Sequence, residues 1–168
     1  VVDVWERNRW GNKQFSFPVK KGQTYSIEMT FRQSEGDAIV KLRAGHYEKT
    51  DFNELARRYS DADIILFAGG ISPQLEGEEM PVTVPGFKGG DRTSIQLPTV
   101  QTELMKALKA TGKPVVFVML TGSAIAIPWE NENIPAIINA WYGGQSGGTA
   151  VADVLFGDYN PAGRLPVT

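Results

Sequence analysis

Three carboxylates lie close together in a segment that is marked by glycine and proline. Glu76, Glu78 and Glu79 occur in residues 69–80, GGISPQLEGEEM, directly after an apolar run. Like charges at this spacing repel one another, and burial raises the pKa of a carboxyl group, so that it can keep a proton near neutral pH. The segment is therefore either an ordinary solvated loop or a site of carboxylate chemistry, and both interpretations stay open on these residues alone.

Cleavage of a glycosidic bond is one reaction that uses carboxylates in this way. It needs a carboxylic acid to protonate the leaving oxygen and a second carboxylate on the other side of the sugar. The acid has to stay protonated near neutral pH, which neighbouring negative charge and partial burial favour. The acidic segment supplies the residue types for the proton donor.

The remaining composition points to the same carboxylate chemistry. The 168 residues include no cysteine, which excludes thiolate chemistry, and a single histidine, His46, which cannot build a metal cluster. We expect a surface or structural role for His46. The net charge of -2 gives no electrostatic case for nucleic acid or an anionic membrane. No apolar run approaches the roughly 20 residues of a membrane helix.

Residues 1–47 carry the pattern of a short antiparallel β segment. Apolar and polar residues alternate along three stretches: 14–19, 24–31 and 38–43. This alternation predicts strands with one buried and one solvated face, and three such strands cannot form a sandwich by themselves. The chain also starts inside this pattern and stops at Thr168 without a polar tail. We therefore expect a piece of a longer polypeptide.

From residue 48 onward, short apolar runs alternate with amphipathic stretches. The apolar runs, which are typical of buried parallel strands, are 62–67, 114–120 and 136–141. Helical spacing is found at 51–59, 99–108 and 147–156, where we expect Ala150, Val151, Val154 and Leu155 to face inward. This order predicts an α/β domain with a mainly parallel sheet and flanking helices.

Ligands of such sheets bind at the loops that follow the carboxyl ends of the strands. Here these loops are 69–91, 121–130 and 142–148, and the first, which contains the acidic segment, is the longest. A long connection without strand or helix pattern is usually functional or disordered. The glycine-rich third loop lacks the Gly-Lys-Ser/Thr of a phosphate-binding loop, so we interpret its glycines as structural rather than nucleotide-binding.

Five motifs, in this order, resemble the C-terminal α/β-sandwich domain of family 3 glycoside hydrolases, the β-glucosidases, β-xylosidases and their relatives. They are the acidic loop, GGDR, LPTVQ, AWYGGQSGG and NPAGRLP, and the likeness covers about residues 61–168. The stretch VKKGQTYSIEMTFRQSEGDAIVKL resembles, less strongly, the final strands of a PA14-type β-sandwich. The resemblance implies a PA14-like part at 1–47 and the family 3 domain at 48–168.

The resemblance implies a retaining β-glycosidase with catalysis divided between two domains. An aspartate nucleophile lies in an N-terminal (β/α)8 barrel, and the C-terminal domain supplies a glutamate general acid/base from a loop before Asp-Arg. Gly77-Glu78 matches the Gly-Glu pair of the family best, so Glu78 is the first candidate. Glu76 is the alternative, because it occupies the first position of a Glu-x-Glu pattern, and Glu79 is the third choice. The sequence departs from the compact family pattern, since the insert MPVTVPGFKGG lengthens the loop before Asp91-Arg92 and weakens this alignment.

The implied partners are an oligosaccharide or β-glycoside substrate and the missing barrel of the same polypeptide, without metal, organic cofactor, nucleic acid or membrane. Nothing in this chain resembles the barrel, so we expect the fragment alone to be inactive. The parent is expected to be periplasmic or secreted, while the compartment of this part stays open. The alternative function is a non-catalytic carbohydrate-binding or interaction module.

Two neighbouring pairs of residues complete the expectations. Asp91 and Arg92 are interpreted as an ion pair that ties the acidic loop to the sheet. Trp141 and Tyr142 could stack on a sugar, but we expect them to belong to the aromatic core instead.

Overall fold

The computed structural model describes residues 14–32, 36, 39–77, 80, 82 and 84–165. The chain divides into two compact units, Val1–His46 and Tyr47–Thr168. This division lies beside the expected boundary between residues 47 and 48, whereas the PA14-like nature of the first unit stays a prediction.

The described part of the first unit contains the predicted turn but no hydrogen-bonded strand. The Gln23 N–H donates to the Lys20 carbonyl at 3.2 Å. The rings of Phe17 and Tyr25 lie 5.6 Å apart, so the segments on either side of the turn approach each other. All described side chains of this unit are exposed, which explains the missing ladder, because alternating strands are stabilised by a layer over their apolar face.

The second unit alternates helices and strands, as the sequence predicts for an α/β domain. In chain order its elements are α1 (Phe52–Arg57), β1 (Ile65–Gly70), α2 (Pro73–Glu76), β2 (Phe87–Lys88), β3 (Asp91–Arg92), α3 (Thr99–Lys109), β4 (Val115–Leu120), α4 (Pro128–Asn133), β5 (Ala136–Asn139) and α5 (Gly147–Phe156). The three predicted strands and the three predicted helices are present. The short elements α2, β2, β3 and α4 are additional.

The sheet of the second unit is parallel and has the strand order β1-β4-β5. Ile65 pairs with Val115 and Val116 with Ala136, so all three strands run in the same direction. The antiparallel pair of this unit is the small β2–β3 hairpin. The mainly parallel sheet with flanking helices is thus confirmed, and the carboxyl ends of its strands lie at one edge.

The core forms where α1, α3 and α4 meet one face of the sheet. Met105 and Phe117 are fully buried there, and Val115 is 1% exposed. Burying a side chain of this size contributes roughly 1.5–3 kcal/mol. Along β1 burial alternates, since Ile65 is 8% and Leu66 52% exposed. The prediction of a buried strand is therefore correct for one face of β1 and wrong for the face that carries Leu66.

Helix α5 has the predicted bounds but a less buried inner face than expected. No residue of α5 is fully buried. Val151, Val154 and Leu155 are half-buried, and Ala150 is exposed. The expected inward face is therefore partly correct: three of its four residues are half-buried, and the fourth, Ala150, is exposed. Gly157 ends the helix in the left-handed conformation at φ +86°, as its position in the sequence predicts.

A buried carboxylate joins α4 to α3. Glu130 is 2% exposed, and the Thr102 hydroxyl donates a hydrogen bond to its Oε1 at 2.5 Å. The sequence interpretation placed residues 121–130 in a loop, whereas Pro128 begins a helix there. Proline at the first helical position is the local signal that indicates this start. Removing the threonine hydroxyl would take a hydrogen-bond donor from a buried charge.

Thr102→Val should lower the free energy of unfolding by about 1–3 kcal/mol, because the buried Glu130 carboxylate loses the donor at its Oε1. Urea denaturation of the chain measures the change. Thr99→Val is the matched control, since Thr99 is exposed on the same helix, and it should stay within about 0.5 kcal/mol of the wild type. Equal stability of the two variants would contradict this role of Thr102.

Candidate functional site

The loops that follow β1, β4 and β5 meet at the carboxyl edge of the sheet. Glu76, at the end of α2, contacts Ser123 from the loop after β4 and Tyr142 from the loop after β5. Parallel strands place their carboxyl ends together, and ligands of α/β sheets bind there. This edge is therefore the candidate site, and it contains one of the three carboxylates that the sequence singles out.

The exit from β1 is fixed by a pair of hydrogen bonds to Gln101, the glutamine of the LPTVQ motif. The Gly70 N–H donates to Gln101 Oε1 at 2.7 Å, and Gln101 Nε2 donates to the Gly70 carbonyl at 2.6 Å. Gly70 has φ +125°, and a Cβ there would lie 1.9 Å from the Leu120 carbonyl oxygen. Only glycine fits this position, so the chain leaves the strand along one path.

The short helix α2 carries Glu76 to the edge of the sheet. Ser72 caps it by accepting a hydrogen bond from the Leu75 N–H at 3.1 Å, and Pro73 occupies the first turn. Gly77 ends it at φ +71°, where a Cβ would lie 2.3 Å from Val82 Cγ2. One turn is too short to produce helical periodicity, but the Ser-Pro start and glycine stop are sequence signals that could have indicated it.

Glu76 is half-buried, and each of its carboxylate oxygens faces a hydroxyl group. The Ser123 hydroxyl donates to Glu76 Oε1 at 2.8 Å. The Tyr142 hydroxyl lies 3.4 Å from Glu76 Oε2 and 2.9 Å from the Ile71 carbonyl oxygen. The single phenol proton has two acceptors, of which the Ile71 carbonyl is the nearer. Ser123 therefore makes the shorter hydrogen bond to the carboxylate.

Tyr142 lies at the surface of the site and not in the aromatic core, so the expectation of a core position is wrong. It is 41% exposed, and its ring packs against Gly122, where a Cβ would lie 2.5 Å from the ring. Trp141 is half-buried and has φ +55°, a left-handed conformation that L residues rarely adopt. This turn of the backbone after β5 brings the next side chain, Tyr142, towards Glu76.

The pKa of Tyr142 is raised above its ordinary value. Partial burial of the phenol is the largest cause, and the negative charge of Glu76 is the second. A hydrogen bond with the Gly122 backbone and the positive charge of Arg92 act in the opposite direction. The phenol is therefore neutral at ordinary pH and can donate its proton to a neighbouring acceptor.

Arg92 connects the β2–β3 hairpin to the loop after β4. Its Nη1 donates to Ser123 Oγ at 3.0 Å and to the Ala124 carbonyl at 2.6 Å. Among the described residues the ion pairs are Glu54–Arg58 and Glu103–Lys106, so the expected Asp91–Arg92 pair is not formed. Neighbouring residues of a strand point to opposite faces, which separates the two side chains. Arg92 does link its hairpin to a loop at the sheet, as predicted, but through the Ser123 hydroxyl and the Ala124 carbonyl instead of an ion pair with Asp91.

Glu78 and Glu79 lie outside the described residues, so their roles stay predictions. Gly77 and Met80, on either side of them, are joined by a hydrogen bond from the Met80 N–H to the Gly77 carbonyl at 2.8 Å.

Ser123 was not recognised from the sequence as a residue of the site. Its place directly after a strand of the sheet, in the segment LTGSA, is the signal that could have pointed to it.

Metal-binding groups and membrane-spanning helices are both absent from the described part of the chain. It contains no group of three or more side chains that could hold a metal ion, and His46 is exposed in the first unit. Within the same residues, no helix has the length and apolar character to cross a membrane.

In the glycine-rich loop after β5, a Cβ at Gly143 would lie 2.9 Å from Gly147 Cα, so a glycine at this position permits the tight turn before α5.

Comparisons with known proteins agree with the geometry. The chain is 53% identical over 150 residues to a xylan 1,4-beta-xylosidase of Xylanibacter ruminicola, covering 89% of this chain and 17% of that protein. It is 39% identical over 116 residues to a periplasmic beta-glucosidase of Salmonella typhimurium, covering 69% of this chain and 14% of that protein. The chain thus spans about a sixth of the length of these relatives.

Solved structures show the same similarity. A GH3 exo-beta-xylosidase in complex with a xylobiose aziridine probe matches 68% of this chain and 14% of its own, with 38% identity and a TM-score of 0.57. A GH3 beta-glucosidase of Bifidobacterium adolescentis matches 67% of this chain and 16% of its own, with 31% identity and a TM-score of 0.55.

The family model of the glycosyl hydrolase family 3 C-terminal domain matches residues 7–168. The match also runs through residues 7–47, and their assignment to a PA14-like module is not tested by it. Together with the parallel sheet and the loops at its carboxyl edge, this match shows that the chain belongs to glycoside hydrolase family 3 and represents its C-terminal domain.

Proposed function

We propose that this chain supplies the general acid/base loop of a retaining β-glycosidase of the β-xylosidase or β-glucosidase type. Glu78 is the proposed acid/base, and Glu76 is the alternative. Relatives named beta-xylosidase and beta-glucosidase support the reaction class. The contact of Glu76 with Ser123 and Tyr142 supports the place of the loop, because it holds the acidic segment at the ligand-binding edge of the sheet.

The same contact favours Glu78 over Glu76 as the proton donor. A general acid has to reach the leaving oxygen of the substrate within hydrogen-bond distance. Both oxygens of Glu76 already face hydroxyl groups of this chain, at 2.8 and 3.4 Å. Glu78 follows two residues later, after the glycine that ends α2. In this proposal Glu76 holds the loop and Glu78 performs the proton transfers.

The proposed reaction has two steps. In the first, a nucleophilic carboxylate attacks the anomeric carbon while the Glu78 carboxyl group gives its proton to the leaving oxygen. In the second, the Glu78 carboxylate takes a proton from water, and this water displaces the enzyme carboxylate from the sugar. Retention requires the two carboxyl groups to lie about 5–5.5 Å apart. The nucleophile is proposed to come from a barrel domain of the longer polypeptide.

The substrate class follows from the relatives rather than from a pocket in this chain. The named relatives are xylosidases and glucosidases. We propose a β-xyloside or β-glucoside whose sugar is held mainly by the missing domain, with the aglycone oxygen facing the acidic loop. No metal or organic cofactor takes part in this chemistry.

In the full-length enzyme, Glu78→Gln should lower kcat for substrates with poor leaving groups by about 10²–10⁴-fold, because their departure needs the proton. Aryl glycosides with good leaving groups should lose much less in the first step. Their second step should be slow, because water is no longer deprotonated. Azide attacks without losing a proton, so added azide should restore the turnover of these aryl glycosides and yield a glycosyl azide of retained configuration. Steady-state kinetics over a series of leaving groups measures this, with the exposed surface carboxylate variant Glu54→Gln as the control.

Glu76→Gln and Glu79→Gln complete the series. If Glu76→Gln alone gives the leaving-group dependence and the azide effect, Glu76 is the acid/base and the assignment to Glu78 is wrong. If none of the three variants gives them, the catalytic role of the loop is wrong. Glycan binding that survives all three substitutions would then support the carbohydrate-binding alternative.

The 168-residue chain alone should release no p-nitrophenol from aryl β-glycosides, because the nucleophile and most of the sugar pocket lie on the missing domain. Absorbance measured over hours with purified chain tests this expectation. Release that Glu78→Gln abolishes would contradict it. Release that persists in the variant would indicate a contaminating glycosidase, and a further purification step would then have to remove it.

A further inference from the structure

We infer that Ser123 and Tyr142 are positioning residues for the acid/base loop, and we call these two residues the Glu76 clamp. The clamp holds Glu76 and thereby fixes the point from which the chain continues to the catalytic carboxylate. This inference rests on the proposed function. It adds two residues outside the acidic loop that determine where the proton donor lies.

Helix α2 has little buried surface of its own, so its hydrogen bonds contribute to its position. The helix has one turn, and none of its residues is fully buried. Its side chains therefore provide little of the apolar burial that fixes α3 on the sheet. Among the described residues, the contacts of Glu76 with the clamp are the side-chain hydrogen bonds that join the end of α2 to the loops after β4 and β5.

Ser123 is held rigidly and in one orientation. Its N–H donates to Thr121 Oγ1 at 3.1 Å, and the Thr121 hydroxyl donates back to its carbonyl at 2.6 Å, with Thr121 only 1% exposed. Arg92 Nη1 donates to Ser123 Oγ. A guanidinium can only donate, so the Ser123 hydroxyl proton is left for Glu76 Oε1. The direction of this chain of hydrogen bonds favours the serine–carboxylate contact.

Tyr142 contacts both ends of α2 through its one phenol proton. Its hydroxyl lies 2.9 Å from the carbonyl oxygen of Ile71, which precedes the helix, and 3.4 Å from Oε2 of Glu76, which ends it, so these two acceptors share one donor. Ile71 is itself 2% exposed, and its N–H donates to the Leu120 carbonyl at 2.9 Å. The phenol thus connects the loop after β5 to a buried residue beside β1 and to the last residue of the one-turn helix.

Small displacements at this point matter for catalysis. A shift of about 1 Å in a catalytic group can cost roughly 10²-fold in rate. Glu76 and Glu78 are two residues apart in the sequence, so the clamp acts close to the proposed proton donor along the chain. A purely structural role would act differently, because it would lower stability without a preference for poor leaving groups.

The clamp contact can be tested on the 168-residue chain by the titration of Tyr142. Glu76→Gln should lower the pKa of Tyr142, because the negative charge of Glu76 raises it, and burial should keep it above the ordinary value. The ¹³Cζ shift of labelled tyrosine followed against pH measures this, and Tyr142→Phe identifies the signal. Among the described residues, the charged groups that act on the phenol are Glu76 and Arg92, so Glu54→Gln is the control.

A Tyr142 pKa that is the same in Glu76→Gln and in the wild type would show that the contact is not formed, and the inference would be wrong.

The raised pKa of Tyr142 also makes the free energy of unfolding depend on pH. Folding favours the neutral phenol, so this contribution is fully present below the ordinary tyrosine pKa of about 10. It is lost as the pH rises through the higher folded value.

In the full-length enzyme, the double variant Ser123→Ala/Tyr142→Phe should lower kcat for poor leaving groups by about 10–10²-fold. Good leaving groups should lose less, and KM should change little, because the sugar contacts are untouched. Ser123→Thr, which keeps the hydroxyl, should restore most of the rate that Ser123→Ala loses. Thr102→Val is the stability control: it should lower the melting temperature without a change in leaving-group dependence.

The outcomes separate the two proposals. If Glu78→Gln shows the leaving-group dependence and the double variant behaves like the wild type, the clamp is wrong and the proposed function stands. If the double variant loses the same factor on all substrates and melts earlier, the two residues are structural and the inference is also wrong. If Glu78→Gln, Glu76→Gln and Glu79→Gln all leave poor substrates unaffected, the proposed function itself fails.

Discussion

The parallel pairing of β1, β4 and β5 is the constraint on which the site depends. Glu76 is 47 residues from Ser123 and 66 residues from Tyr142 along the chain. These side chains meet because each follows the carboxyl end of one strand, and parallel strands end at the same edge. A register slip of one residue would turn the strand side chains to the opposite face and displace the loops. The ladder hydrogen bonds therefore determine the geometry of the site.

The two sides of this arrangement are stabilised by different forces. Behind the edge, an apolar core around Phe117 and Met105 joins the helices to one face of the sheet. At the edge itself, polar groups alternate as donors and acceptors, from Arg92 through Ser123 to Glu76. The apolar core makes the support rigid but does not orient polar side chains. The hydrogen bonds orient these side chains, and they can do so because the support is rigid.

Unusual backbone conformations collect at the same edge. Gly70 and Gly77 have positive φ and face atoms that exclude any Cβ, and Trp141 adopts the left-handed conformation without being glycine. Glycine adopts positive φ without a steric cost, whereas the left-handed conformation of Trp141 costs free energy and persists because the surrounding structure imposes it. Each of the three lies next to a segment that positions Glu76 or Tyr142. Backbone conformation thus shapes the edge as well as hydrogen bonds do, and the strain lies at Trp141, beside Tyr142.

The sequence by itself determined the fold class, the bounds of α3 and α5 and the strands of the sheet. Apolar runs, helical spacing and terminal glycines are local signals, and the elements they specify need few distant contacts. The family motifs also indicated the acidic loop. The helical spacing of the sequence did not indicate the one-turn helix α2, because its four residues are too few to repeat the helical period. Nor did it indicate the packing of β1, whose outer face carries the exposed Leu66.

Only the tertiary structure decided which side chains meet at the edge. Asp91 and Arg92 are adjacent in sequence, but strand geometry separates them, and Arg92 instead bonds to Ser123. Tyr142 belongs to a motif that suggested an aromatic core, but a left-handed turn at the preceding residue directs it to Glu76. Contacts across dozens of residues depend on strand order, register and loop conformation together, and no local pattern in the sequence encodes them.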